Sequence, residues 1–267
     1  MISNPQINKT RGANSGKVSG ATCFFRNRPL LETISSILQS SEDLSVLFHA
    51  CSVGPEVYSF AINAALEKNF SRKFSIYATD FEQLYLDKAK KGIYSSEDIS
   101  HLSDTEKMYF TRIDNNRYQI NKSIQEMITF LPPSDYRVYE SEKKYDIVFL
   151  LNSLCYVTAE EQSKVINKIS SYNDKYLIIS AFHTLSIKQD IKRNGYSPVL
   201  ANIEEIYNSW PFQIAKKPSL LKRYIKNLLP AYKNSGTILS GAELFSKNKD
   251  YEYKYCSIFV KDSFIQK

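Results

Sequence analysis

Four cysteines, three histidines and eight glycines in a chain of 267 residues exclude several classes of protein at once. Cys23, Cys51, Cys155 and Cys256 form no Cys-x-x-Cys pair, so neither a zinc set nor a disulfide framework is expected. No metal is called for, and the expected setting is reducing and cytoplasmic. No apolar stretch approaches the ~18 residues of a membrane span, and no basic-then-apolar leader opens the chain. A run of about five or six like charges, the mark of a nucleic-acid-binding tail, is also missing. So is Gly-x-Gly-x-x-Gly after any strand candidate, which leaves a dinucleotide's pyrophosphate without its glycine cradle.

What is present fits a packed globular protein. Hydrophobic residues make up 43% of the chain, too many for disorder. Many of the 19 tyrosines should sit half-buried, ring inside and hydroxyl at the edge. The length suits one large α/β domain, or one domain with a small appendage. A net charge of +7 favours acidic partners such as an anionic glycan, a membrane surface or an acidic protein, and nucleic acid is not expected. The plainer reading is a soluble enzyme that happens to be basic.

Residues 1–20 are polar and without apolar period, and read as an arm before a domain spanning 21–267. Strand and helix patterns then alternate. Ser45–Cys51 is a short apolar run of buried-strand type. Behind Gly54 and Pro55, Tyr58, Ala61, Ile62, Ala65 and Leu66 mark one face of a helix. A second strand runs over Phe74–Thr79 to Asp80, and a second helix stops at Gly92. Residues 93–130 interrupt the pattern as a small β-insertion, with strands at Arg117–Ile120 and Met127–Phe130. Tyr145–Asn152 resumes the core, Thr158-Ala-Glu-Glu161 opens a helix as a capping box, and Lys175–Ser180 is a further strand. Helical patterns follow at 185–194, 203–209 and 219–229, and Tyr251–Val260 reads as a long, late strand. The expected fold is α/β and Rossmann-like, a mostly parallel sheet with helices on both faces and one late antiparallel strand.

In such a sheet ligands sit off the carboxyl ends of the strands, where strand order reverses. Three of those ends hold suggestive residues: Gly54 before a helix start, Asp80 placed to accept ribose hydroxyls, and Asn152 with Tyr156 one turn on. A lone glycine and acid at strand ends are also common turn residues. Without a pyrophosphate cradle the residues point to a nucleoside ligand.

Six segments taken together resemble the CheR-type methyltransferases. Thr22-Cys-Phe-Phe-Arg26 is similar to T-x-F-F-R, and Ala50-Cys-Ser-Val-Gly-Pro-Glu-Val-Tyr-Ser-Phe-Ala61 to A-C-S-x-G-E-E-P-Y-S-x-A. Ala78-Thr-Asp80 matches A-T-D, and Ala89-Lys-Lys-Gly-Ile-Tyr94 matches A-x-x-G-x-Y. Tyr109-Phe110 with Ile128-Thr-Phe130 fits the family's β-insertion, and Tyr145–Tyr156 is similar to Y-D-x-I-F-C-R-N-V-x-I-Y.

The resemblance implies a class I methyltransferase that uses S-adenosylmethionine (SAM) and releases S-adenosylhomocysteine. Thr22 and Arg26 would face the SAM carboxylate and the active-site mouth. Glu56 and Asp80 would bind the amino-acid end and the ribose. Ala50, Cys51, Gly54, Phe81 and Asn152 would border the cofactor, with Ser134 and Asp135 on the adenine side. Tyr156 would line the methyl-transfer site; core packing is the alternative for it.

The departures fall mostly on the acceptor half. Leu151 stands where the family has Arg, and Ser134-Asp135 where it has N-L. Ser180-Ala-Phe-His183 replaces G-H-S-E. Only about twenty residues precede Thr22, too few for the family's helical N-terminal domain, and roughly 80 follow His183. The expectation is a retained cofactor half and a rebuilt acceptor half, covered by 185–250. The expected acceptor is a small molecule or glycan, anionic if the basic 216–228 segment touches it; that segment could instead meet a membrane surface. A protein glutamate acceptor and a non-catalytic SAM sensor are the alternatives. A carboxylate acceptor needs no general base; a hydroxyl does, and His183 is the candidate for it, with a structural strand-end role as the other reading. His49, inside the first strand, reads as a core residue.

Overall fold

The computed structural model describes residues 22–38, 43–67, 74–180, 184–210 and 251–265. The expected arm at 1–20, His183 and the basic 216–228 segment lie outside the described residues. The described elements begin with α1 (Arg28–Ile37), β1 (Leu44–His49), α2 (Pro55–Leu66), β2 (Phe74–Ala78) and α3 (Gln83–Lys91). Then come β3 (Ile93–Ser95), α4 (Asp104–Lys107), β4 (Phe110–Arg112), β5 (Arg117–Ile120), α5 (Lys122–Gln125) and β6 (Ile128–Phe130). β7 (Tyr145–Leu150), a 3-10 turn (Leu154–Tyr156), α6 (Ala159–Tyr172), β8 (Asn173–Ile179), α7 (Thr184–Arg193), β9 (Tyr196–Pro198) and α8 (Ile203–Asn208) follow. The last described elements are α9 (Tyr251–Tyr255), β10 (Ile258–Lys261) and α10 (Asp262–Ile265).

Seven strands form the main sheet in the order β6-β2-β1-β7-β8-β10-β9. The pairs from β6 to β8 are parallel, and β10 runs antiparallel to both its neighbours. Strand order therefore reverses between β1 and β7, and the crevice beyond their carboxyl ends is where a ligand is expected. β1 and β7 are apolar almost throughout because both faces are covered. Val46, Phe48 and Phe149 pack with α1 and α2, including Leu30, Ile34, Val57 and Ile62. Leu47, Val148 and Leu150 face Val165, Ile166 and Ile169 of α6 and Ile187 and Ile191 of α7. No described helix is long and apolar enough to cross a membrane.

Two expected elements change. Ile128–Phe130 is not part of the insertion but an edge strand of the main sheet, with Ile76 opposite Ile128 and Ala78 opposite Phe130. Three residues are too short to show a period, so only the pairing reveals where they belong. The insertion is instead the antiparallel sheet β3-β5-β4 with α4 beside it. The late strand is also shorter than expected: Tyr251–Tyr255 is helical and only Ile258–Lys261 pairs. The alternation of tyrosine with charge suggests a strand, but tertiary contacts decide otherwise. Tyr253 donates to Tyr196 O at 3.0 Å, and the Tyr255 ring sits edge-on to Tyr207 at 4.8 Å.

Candidate active site

The loop joining β1 to α2 is wound through left-handed backbone at alternate residues: Ala50 (φ 51°), Ser52 (φ 53°) and Gly54 (φ 99°). Five non-glycine residues among those described have positive φ, and four of them, Phe25, Ala50, Ser52 and Asn152, lie in the segments at the crevice. Each costs on the order of 1–3 kcal/mol and persists only where its surroundings hold it. Here the hold is explicit. Cys51 N donates to Thr79 O at 3.1 Å, Gly54 N to Cys51 O at 3.0 Å, and Tyr94 Oη to Val53 O at 2.7 Å. A Cβ on Gly54 would lie 3.1 Å from Tyr94 Oη and 3.2 Å from both Ala89 and Tyr58, so packing as well as φ demands glycine there.

Asp80, just past β2, is 3% exposed. Its carboxylate accepts from Ser52 N at 2.8 Å and from Glu82 N at 3.0 Å. The carboxylate keeps lone-pair capacity beyond these backbone donors. Burial raises its pKa despite the backbone N–H groups of Glu82 and Ser52. Ser134 N donates to Asp80 O at 3.0 Å, which brings the segment after β6 to the same place. Phe81, next in sequence, is largely exposed at the rim.

Glu56 sits in the first turn of α2. Its carboxylate accepts from Thr22 Oγ1 and, at 3.3 Å, from Arg26 Nη1. Burial raises its pKa against the pull of Arg26. The loop from Ala50 to Glu56 thus joins two acid centres, with Ser52 on Asp80 at one end and Glu56 on Thr22 and Arg26 at the other. Cys51 between them is buried and its thiol is pushed well up by the same desolvation.

Across the crevice, Asn152 follows β7. Ser180 Oγ accepts from Asn152 N at 2.8 Å and donates to Asn152 Oδ1 at 3.1 Å. Tyr156 lies on the 3-10 turn and is half exposed. Asp135 differs from the rest: its carboxylate accepts from Arg137 N and Nε, both at 2.8 Å, within the segment itself. Leu151 borders a cavity of about 20 Å³ lined by Arg26, Leu30, Glu56, Phe149 and Trp210. His49 is buried on the α6 side, bonded to Tyr172 Oη at 3.0 Å, and desolvation lowers its imidazole to about 3. Among the described residues no three His, Cys, Asp or Glu side chains gather as a metal set.

Local sequence does not single out Ser52, Ser59 and Ser180 as site supports. All three lie inside the quoted motifs, but their work depends on partners distant in sequence. Ser59 Oγ, for example, accepts from Phe25 N at 2.7 Å.

The profile of the CheR methyltransferase SAM-binding domain matches residues 20–194. The chemotaxis protein methyltransferase of Borreliella burgdorferi is 28% identical over 171 residues, 61% of this chain and 60% of that protein. That of Campylobacter jejuni is 31% identical over 163 residues, 58% of this chain and 60% of its own length. The chain therefore spans about three fifths of these curated relatives. Among solved structures, magnesium protoporphyrin IX methyltransferase of Synechocystis PCC 6803 with bound SAM is 19% identical, with 64% of this chain and 71% of that one covered at a TM-score of 0.39. On the family match, which takes in well over half of its residues, the chain belongs to the CheR methyltransferase family, in its SAM-binding domain.

Proposed function

We propose that this chain is a SAM-dependent methyltransferase whose acceptor is a carboxylate on a protein. The observation that carries the cofactor is a pair of largely buried carboxylates joined by one strained loop, Asp80 held by Ser52 of that loop and Glu56 at its far end, each with a pKa raised by burial. Buried acids of this kind gain most from donors and positive charge. A nucleoside with a vicinal diol and an ammonium group supplies both, and carries no pyrophosphate to need a glycine-rich cradle. The residues therefore fit SAM.

In this reading Asp80 takes the ribose hydroxyls, while Ser52 and Glu82 N–H groups hold the carboxylate still. Glu56 takes the ammonium group, oriented by Thr22 and Arg26. Ala50, Cys51, Gly54 and Asn152 form the walls, with Phe81 and Ser134 on the nucleoside side. The Asp135 carboxylate is held by Arg137, and Asp135 is left on the adenine side as a neighbour of Ser134. Arg26 and Tyr156 border the methyl-transfer position. Bound SAM supplies a methyl group already activated on its sulfonium. The protein's share is then to bring acceptor and methyl into line, an effect able to supply about 7–11 kcal/mol.

Two curated relatives bear the name chemotaxis protein methyltransferase, which favours a protein carboxylate over the small molecule or glycan expected from the rebuilt acceptor half. A carboxylate acceptor needs no general base, so His183 has no required part. One feature still favours a small acceptor: Leu151, with Trp210 and Phe149, makes an apolar wall where the family carries Arg.

Two experiments test the reading. Calorimetric titration with S-adenosylhomocysteine should give binding that Asp80→Ala abolishes; a folded wild-type protein that does not bind it overturns the cofactor. Methyl-tritiated SAM with a chemoreceptor fragment should leave a base-labile label on protein. Label confined to a low-molecular-weight fraction would replace the protein acceptor with the small one.

A further inference from the structure

The turn that carries Arg26 is held from outside the cofactor fold. Phe25 has φ 47°, a conformation a bulky aromatic residue does not keep unaided. On one side Ser59 of α2 accepts its N–H. Other grips come from the β-insertion. The Phe24 ring lies edge-on to Tyr94 of β3 at 4.7 Å and to Phe110 of β4 at 5.2 Å. Phe24 O accepts from His101 Nε2 at 2.9 Å. Arg28 stacks its guanidinium over the Phe25 ring, 4.6 Å from the centroid. The same guanidinium is bidentate on Glu106 of α4, with Nη2 to Oε2 at 2.9 Å.

Glu106 is itself anchored. It is 3% exposed, and in the capping box of α4 it accepts from Ser103 N at 2.7 Å. A planar cation locked between a fixed carboxylate and an aromatic face has little freedom. The Phe25 ring is pinned under it, and Arg26 follows directly in the chain and reaches Glu56 at 3.3 Å.

We propose that Glu106 and Arg28 are positioning residues: acting from the insertion through Phe25, they hold the strained turn so that Arg26 meets Glu56. The insertion is thereby a working part of the cofactor site as well as a surface appendage. This rests on the reading of Arg26 and Glu56 given above, and the test keeps the two apart.

The test is a double-mutant cycle read by calorimetric titration with S-adenosylhomocysteine. Glu106→Gln retains an acceptor for the capping box and removes the charge that holds Arg28. Arg28→Met removes the pair from the other side and leaves the capping box intact. Each should weaken binding about tenfold, the scale of a lost charge-assisted hydrogen bond. Arg26→Ala should weaken it at least as much. Adding Glu106→Gln to Arg26→Ala should then cost nothing more, because the clamp acts through the residue already removed. Independent, multiplying losses in the double variant overturn the proposal, since a general loss of structure behaves that way. Unchanged affinity in Glu106→Gln and Arg28→Met, beside a clear loss in Arg26→Ala, overturns it too. Wild-type affinity in Arg26→Ala instead sinks the assignment of Arg26 to the cofactor, and the clamp's role with it. Melting curves of each unliganded variant identify any that fail to fold.

Discussion

Two helices begin at the carboxyl ends of neighbouring strands, α2 after β1 and α6 after β7, and they begin in opposite ways. α6 closes itself. Thr158 accepts from Glu161 N, and the Glu161 carboxylate returns to Thr158 N at 2.9 Å in a complete capping box. α2 starts at Gly54, in left-handed backbone with no side-chain cap, and its first-turn Glu56 turns away to Thr22 and Arg26. The two glutamates differ accordingly. Bonds from Thr158 lower the pKa of Glu161, while burial raises that of Glu56. A helix start built for stability satisfies its own N–H groups and keeps its acid in solvent. The start of α2 has no side-chain cap of its own and holds its acid, largely buried, on Thr22 and Arg26, the arrangement the proposed ligand would use.

The contrast is sharpest if the same change is made at both starts. Glu56→Ala should weaken S-adenosylhomocysteine binding about a hundredfold in calorimetry, the upper range for a lost charged hydrogen bond, whereas Glu161→Ala should leave affinity unchanged. Equal losses would erase the distinction. Gly54→Ala should destabilise the unliganded protein by about 1–3 kcal/mol in urea melts, from the strained φ and the crowding against Tyr94, Ala89 and Tyr58. It should also weaken the ligand, since the loop and the site are one structure. Thr158→Ala should cost about 1 kcal/mol of stability and nothing in affinity.

The smallest effect is in pH dependence, and here the two acids have opposite signs. Glu56, raised in the folded state, favours folding below its ordinary value of 4.5, and that contribution is lost as pH climbs through the raised value. Glu161, lowered in the folded state, contributes above 4.5 and loses its contribution as pH falls through the lowered value. Melting temperatures from pH 4 to 7 should therefore fall less steeply with rising pH in Glu56→Gln. In Glu161→Gln the stability lost on acidification should be smaller. Slopes shifted the same way by both variants would refute the assignment.

Much of the fold and of this site is legible in the sequence. β1, β7 and β8 are largely buried and stand out as apolar runs; α6 is announced by its capping box, and the end of α3 by Gly92 in left-handed backbone. Thr22, Arg26, Glu56, Asp80 and Asn152 are recognisable because their motifs are local. Asp135 reads as a direct cofactor contact, yet Arg137 occupies its carboxylate, and that bond depends on how the segment turns. Ile128–Phe130 and Tyr251–Tyr255 read as parts of the wrong element because each is short and takes its conformation from neighbours far along the chain. α1 has a local cap, Asn27 accepting from Leu30 N at 3.1 Å, but the same side chain donates to Ile206 O at 2.8 Å, a tie that only the fold supplies.

The alternation of strand and helix, the residues at each strand end and the lack of a pyrophosphate cradle are written in the chain itself. They follow from hydrophobic period, turn chemistry and residue type, all local properties. It took the packed fold to bury Asp80 and Glu56 at the two ends of one loop, to reverse strand order between β1 and β7, and to set the insertion against the turn carrying Arg26. Desolvation, strain and ion pairing arise from what surrounds a group, and at this site much of that comes from distant residues: Ser52 lies 28 positions from Asp80, and Thr22 lies 34 from Glu56.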